Sequence, residues 1–391
     1  MTKRLILAFV FLSWHLVACS NGDSGISSGL PDKPSAEEDS PGTETISEEM
    51  RVKITGEDLY ISAKLDAKTD ILYWFKKCMF NELFTFYRVG TIDNNMPAPA
   101  TLPDASPTSL LNLAYSDNIG PFDITGYGWC GGNHPYLDEV TQTARNIGYR
   151  IYIDGKEIKT DLSTLTKEIK IEVINEIMNP SKADTSSGKT LLNEILCIET
   201  VNYSIYRNNI QVLVTHEFQN ESPVTVQMYY GMQSMFDKET HTLTANGKYV
   251  DWTVQKDVST FTKKEYPSFR RFIEKSANVY QSSYLFADGL GNHEEISDDD
   301  IIFIGNSSNK TYHKIIADRE HKKGDIIHWS GVYTWFKSPV SDDDDLLCYE
   351  GVIDNKKVLF IDCKKNVDRT IQLPVDYTKK SFTTVSYTHL R

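Results

Sequence analysis

No pair of cysteines in this chain is spaced C-x-x-C, and no histidines fall at ligand spacing on a helix. A zinc knuckle, a redox dithiol and a preformed metal site therefore have no support in the sequence. Basic residues are the minority: 41 Lys and Arg stand against 54 Asp and Glu, a net charge of −13. With no basic stripe, the sequence gives no support for binding nucleic acid or another polyanion by charge alone. No apolar run reaches the roughly 20 residues that cross a bilayer as a helix. Gly289-Leu290-Gly291-Asn292 lacks the strand–helix setting of a nucleotide loop. No repeat of fixed period occurs, which argues against a solenoid or propeller.

What is present begins with an address. Lys3-Arg4 leads into the apolar run Leu5 to Leu12, and Leu16-Val17-Ala18-Cys19 follows. A basic start, an apolar middle and a small residue at the cleavage point make a signal peptide over residues 1–18. With cysteine next, the stretch resembles the lipobox of bacterial lipoproteins. That resemblance implies lipidation at Cys19 and a protein lipid-anchored to the bacterial outer membrane, on its periplasmic or cell-surface face. Several acyl chains suffice for stable anchoring. Residues 20–50 are dominated by Gly, Ser, Pro and acid, including Pro31, Pro34, Glu37-Glu38-Asp39 and Pro41-Gly42. Such a segment cannot bury enough to fold and reads as a flexible tether. Residues 51–385 are left for one folded domain. Val385 to Arg391 resembles the translation of a sequencing adapter, so residues 386–391 are expected to be artefactual and the native C-terminus truncated.

Setting Cys19 aside leaves Cys78, Cys130, Cys197, Cys348 and Cys363, an odd number. Buried thiols are the expectation, with a Cys348–Cys363 bridge open if two joined strands carry them. Asp298-Asp299-Asp300 and Asp342 to Asp345 show no calcium-loop spacing and read as solvated loops.

Alternation dominates the rest. Arg51 to Lys64 reads as strand, turn and strand around Gly56-Glu57. Ile71 to Val89 is dense in aromatics and breaks near Asn81-Glu82. Tyr149 to Ile153 enters a hairpin at Asp154-Gly155-Lys156. Between Glu194 and Phe236 three strands follow one another and predict a three-strand meander. Ile195 to Ile205 and Ile210 to Phe218 each present one apolar face, and Val224, Val226, Met228 and Tyr230 continue. Further strands are expected at 249–253, 301–304, 326–336, 346–353 and 357–362. Helix is restricted to a turn at Leu110 to Ala114 and a short helix capped by Ser268 with Phe269, Phe272 and Ile273 on one face. The proline-rich loop Pro97 to Pro107 is read as a divider between an opening hairpin and the main sheets. The class is all-β, a large antiparallel β-sandwich with few short helices.

Tyr127-Gly128-Trp129-Cys130-Gly131-Gly132-Asn133-His134-Pro135-Tyr136 is the best local site candidate. Its glycines permit tight turns and close approach of a ligand. Trp129 and Tyr136 offer flat faces to sugar rings, Asn133 donates and accepts, and His134 exchanges a proton near neutral pH. On the strand Tyr229-Tyr230-Gly231-Met232-Gln233, Tyr229 and Gln233 share one face and could meet a polyol together. His216 shares its face with Val212, Val214 and Phe218, which marks core or a pocket floor, while Glu217 faces the other way.

Five motifs in order, Ser116-Asp117-Asn118-Ile119-Gly120-Pro121-Phe122, Gly131-Gly132-Asn133-His134, Thr143-Ala144-Arg145, Tyr152-Ile153-Asp154-Gly155 and Tyr229 to Gln233, resemble a family of surface lipoproteins of gut Bacteroidota and phage tail-associated proteins. They cover about residues 115–235. The resemblance implies a supersandwich-like fold, also seen in sugar mutarotases and polysaccharide lyase domains, and contact with surface glycans.

Three readings stay open. The first is a surface lipoprotein that binds polysaccharide at Trp129, Asn133, His134, Tyr136, Arg145, Tyr229 and Gln233, with carbohydrate as partner and no cofactor, metal or nucleic acid. The second is a carbohydrate-active enzyme, a lyase, epimerase or hydrolase. In its lyase form His134 or Tyr229 is the base, Asn133 neutralises the uronate and Arg145 pairs its acid group. The third is a structural or adhesion protein.

Overall fold

The computed structural model describes residues 46–101, 108–111, 119–235, 241–243, 249–251, 258–262, 271–276, 278–286, 300–304 and 310–364. All lie within one unit, Glu44–Arg391. Cys19, the signal peptide, most of the tether, Asp117, Asp298-Asp299, Gly289 to Asn292 and residues 386–391 fall outside the described residues.

Alternating side chains build the strands. In Asn209–Phe218 the apolar positions Ile210, Val212, Val214 and Phe218 are buried, as is His216, while Gln211, Leu213, Thr215 and Glu217 are not. Ten such strands form the largest sheet. From edge to edge they are Tyr249–Asp251, His241–Leu243, Arg271–Ser276, Val279–Leu285, Ile326–Phe336, Asn209–Phe218, Ile195–Tyr206, Ile169–Met178, Ala144–Ile153 and Lys156–Ile158. Every pairing is antiparallel.

Two six-stranded sheets pack on one face of it. The N-terminal sheet runs Leu162–Thr166, Met50–Thr55, Asp58–Asp66, Thr69–Cys78, Leu83–Asp93 and Thr108–Leu111. Its inner rings meet those of the large sheet, Phe75 with Tyr203 at 5.4 Å and Phe86 with Tyr333 at 5.4 Å. The second runs Val258–Thr262, Asp300–Ile304, Lys310–His321, Val224–Met235, Phe122–Ile124 and Gly128–Cys130. It joins the same face through Phe122 against His216 at 4.9 Å. The opposite face is partly covered by the three strands Ser341–Asp342, Leu346–Ile353 and Lys356–Cys363. There Tyr349 stacks on Phe336 at 4.5 Å and meets Ser282 Oγ at 2.7 Å. The protein is thus an all-β, sandwich-like fold. Buried aromatics such as Trp329 and Trp335 carry much of it, each contributing about 2–3 kcal/mol by area.

Four expectations are corrected. The third strand of the meander does not continue in the same sheet. After Phe218 the chain crosses to the second six-stranded sheet, and Ile326–Phe336 takes the place beside Asn209–Phe218. The short helix is a strand, Arg271–Ser276, in which Phe272 packs toward His313 and Ile273 toward Tyr349's cluster. Leu110 and Leu111 also belong to a strand, Thr108–Leu111. The proline loop does not divide the molecule, because its described part folds back on the N-terminal sheet. Arg51 Nε and Ser62 Oγ donate to the carbonyls of Pro99 and Ala100.

The interior holds paired charges. Lys64 and Asp70, both fully buried, lie 2.8 Å apart, and Asp70 also accepts from Asn94 and from the Ala100 amide. Glu199 and His216 face each other across neighbouring strands, with Nε2 2.9 Å from Oε2, and Asn175 donates to the other Glu199 oxygen at 2.8 Å. Removing one partner of such a pair strands a buried charge, so each pair stands or falls together. Burial pushes the Cys130 and Cys197 thiols up, helped by the Asp123 and Glu199 carboxylates respectively. Cys348 lies opposite Ile361 and Cys363 opposite Leu346, so the two cysteines occupy diagonal positions of one hairpin.

Candidate functional site

The glycine-rich segment forms where the turn after Thr69–Cys78 meets the short edge strand Gly128–Cys130. Gly131 and Gly132 have φ of 75° and 49°, a region costly for other residues. Asn81, buried at that turn, fastens the loop. Its Nδ2 donates to the carbonyls of Gly132 at 2.8 Å and His134 at 3.1 Å, and its Oδ1 accepts from the Thr143 amide at 3.0 Å. Thr143 Oγ1 accepts from the Gly131 amide at 3.0 Å and donates to the His134 carbonyl. Beyond the loop, Asp138 accepts from the Val140 and Thr141 amides and shapes the tip. Hydrogen bonds from Thr190 and Thr141 hold its carboxyl well below the usual range.

Trp129 stands half-buried at the centre of a stack. The His134 ring lies 5.3 Å away at 26° and the ring of buried Tyr230 5.7 Å away at 22°. Opposite Trp129 in the strand pair sits Asp123. Burial raises its carboxyl above the usual value, and nearby His134 pulls it partly back. Tyr136 is half-buried on the same hairpin, with its amide bonded to Thr141. Tyr127, Leu137 and Val140 expose apolar surface around it.

The other sequence candidates lie elsewhere or are spent. Asn133 Oδ1 accepts from the Phe80 amide at 2.8 Å, so it builds the loop. Arg145 is exposed and bound to Glu176. Tyr229 is fully buried, donating to the Ile119 carbonyl at 2.7 Å and accepting from Trp329 Nε1 at 2.7 Å. Burial, then the Glu199 charge, drive its hydroxyl far above the usual value. A base needs to lose its proton and touch substrate, and Tyr229 does neither. Gln233 is buried too. Register shifts after Tyr229 and Gly231 undo the simple alternation that had put Tyr229 and Gln233 on a shared open face. The structure therefore unites Trp129, His134, Tyr230 and Asp123. Sequence reasoning missed Asn81, Asp123 and Tyr230 as parts of this cluster. The turn break at Asn81 was the available signal. Among the described residues no group of three or more His, Cys, Asp or Glu is placed to hold a metal ion.

No family model matches the chain, and no curated protein matches it in sequence. Solved structures with some likeness include the GH36 alpha-galactosidase AgaB from Geobacillus stearothermophilus, at 9% identity over 74% of this chain and 41% of that one, TM-score 0.40. A putative aldose 1-epimerase from Klebsiella pneumoniae gives 9% identity, 74% and 88% coverage and a TM-score of 0.28. A heparan sulfate lyase HepC mutant from Pedobacter heparinus gives 7%, 81%, 43% and 0.29. The chain spans 41% of the length of the galactosidase. Likeness at these scores carries no function across, and the class defined here, an all-β sandwich with an edge aromatic stack, rests on the sheets themselves.

Proposed function

We propose that the chain is a surface lipoprotein, anchored through Cys19 to the outer membrane and related to the Bacteroidota surface family, that binds glycan at the Trp129–His134 stack. The observation that carries this reading is the pair of partly exposed stacked rings, Trp129 and His134, in one segment with the exposed Tyr127 and Leu137. Aromatic faces with one polar handle suit sugar rings, which present C–H faces and hydroxyls. Burial of Tyr229 favours binding over cleavage, since the proton-transfer scheme loses one of its two bases.

Affinity electrophoresis of the full chain against a panel of neutral and acidic polysaccharides tests the reading. Retention by at least one glycan is expected, with Trp129→Ala and His134→Ala each weakening it about tenfold. If the panel retards nothing, the reading falls. Cys19→Ser should release the protein from the membrane fraction; continued membrane association would remove the anchor. The enzyme reading is favoured only by the nearness of Asp123 to His134. Ultraviolet absorbance of an unsaturated product, or reducing ends released from a retained glycan, would establish it.

A further inference from the structure

The outer face of the N-terminal sheet carries a second aromatic cluster that the loop site does not use. Strand register aligns Lys53, Tyr60, Trp74 and Arg88 in one cross-strand row. The inner residues of these strands, Leu59, Tyr73 and Phe75, are core, so the row faces outward. Tyr60 and Trp74 stack at 5.3 Å and 25°. A register shift between Trp74 and Phe75 leaves Tyr87 as an extra residue on the next strand, and its ring meets Trp74 edge-on at 5.0 Å. Lys76 Nζ lies 4.3 Å from the Trp74 centroid and 4.2 Å from that of Tyr87, and Arg88 lies 5.0 Å from Tyr87.

Half of this face is closed by the chain itself, because residues 94–101 bond to Arg51, Ser62 and Asp70. The half bearing the row stays open. Tyr60, Trp74 and Tyr87 are only partly buried, and Arg88 is exposed. Among the described residues none of Lys53, Lys76 and Arg88 is paired with a carboxylate. In a protein of net charge −13 that is a local reversal of sign which the summed charge hides. One carboxylate adjoins the cluster: Asp58 Oδ1 accepts from Trp74 Nε1 at 2.8 Å, and its second oxygen has no protein partner among the described residues. Asp58 also lines a cleft of about 260 Å³ shared with Tyr149, Arg150 and Asp161.

We infer that this open half-face is a second binding surface, for a polysaccharide that carries carboxylate groups. Ring faces take the C–H side of sugar residues, and the three cations take the uronate carboxylates. Lys76 sits over the two rings on a flexible arm, so a carboxylate that draws its ammonium aside uncovers them. Asp58 sets the class. Its second oxygen can accept from the hydroxyls that every sugar residue of such a chain carries, a density of donors that a phosphodiester backbone lacks. This surface is separate from the Trp129 stack, and its failure leaves that site standing.

Titration of the full chain with polygalacturonate, dextran and a single-stranded oligonucleotide decides the matter. Polygalacturonate should bind about tenfold more tightly than dextran, and affinity should fall severalfold between about 50 and about 300 mM NaCl. The double variant Lys76→Ala/Arg88→Ala alters exposed arms and should keep its thermal unfolding while losing about tenfold in affinity. Trp74→Phe should retain more binding than Trp74→Ala at equal stability. Lys156→Glu, a charge reversal at an exposed hairpin, should bind as the parent does. Equal affinity for dextran, tighter binding of the oligonucleotide, an unaffected double variant, or an equal loss in Lys156→Glu would each overturn the inference.

Discussion

The Trp129 stack and the Trp74 row use the same residue types and are held in opposite ways. The first is built on a loop, and its shape depends on side chains bonding main-chain groups: the buried Asn81 and Thr143 and the partly buried Asn133. The second is built on four paired strands and needs no such ties, because register alone sets its rings in line. A loop cluster is adjustable and fragile; a sheet cluster is flat and fixed. Trp129 is stacked against His134 and the buried Tyr230, whereas a movable lysine lies over the Trp74 and Tyr87 rings.

Three substitutions press on that difference. The largest effect belongs to Gly120→Ala. Gly120 has φ of 107°, and an added Cβ would lie 1.4 Å from the Tyr230 carbonyl oxygen, beneath the loop cluster. A loss of about 4 kcal/mol is expected in urea unfolding, or failure to fold. Asn81→Ala comes next. It strands the carbonyl of Gly132 and the amide of Thr143 and should cost about 3 kcal/mol, with faster amide exchange over residues 131–143 and unchanged exchange in Asp58–Asp66. Matching exchange in both regions would dissolve the contrast. The smallest is Asp123→Asn. A raised acid contributes stability that is complete below its unfolded value, near 3.8, and lost as pH rises through the folded one. The variant should flatten that loss, by well under about 1 kcal/mol at this partly exposed site. Urea unfolding from about pH 3 to about pH 6 reads it.

Ile195–Tyr206 and Asn209–Phe218 were legible because one face of each is buried and the other is not, and they fall where alternation puts them. Arg271–Ser276 was not legible, because it is buried on both faces. Phe272 and Ile273 are both 0% exposed, and their spacing from Phe269 mimics a helical stripe. Sheet order was hidden for a different reason. Alternation tells which side of a strand is apolar and never names the neighbour, so the crossover after Phe218 left no trace. The same limit applied to Glu199 and His216, each on the buried face of its strand and paired only once register is known. Glu274 shows how far burial carries such groups. Its carboxyl, fully enclosed, is pushed up to about 8 although Thr311 donates to it. That Trp129 and His134 share one loop was legible because glycine marks loops; Tyr229 and Gln233 were misplaced because the strand's register shifts after Tyr229 and again after Gly231.

The crossover has a temporal side. Asn209–Phe218 is a central strand with one neighbour close behind it in sequence, and the other, Ile326–Phe336, comes much later. As the chain emerges in order, its inner half waits with a long apolar edge unpaired. Contacts of such large sequence separation form slowly, and open edges invite association between chains. The molecule therefore has a late commitment point. Until Ile326–Phe336 arrives the large sheet is split in two, and a chain halted before that strand would be a sticky fragment rather than a smaller version of the protein.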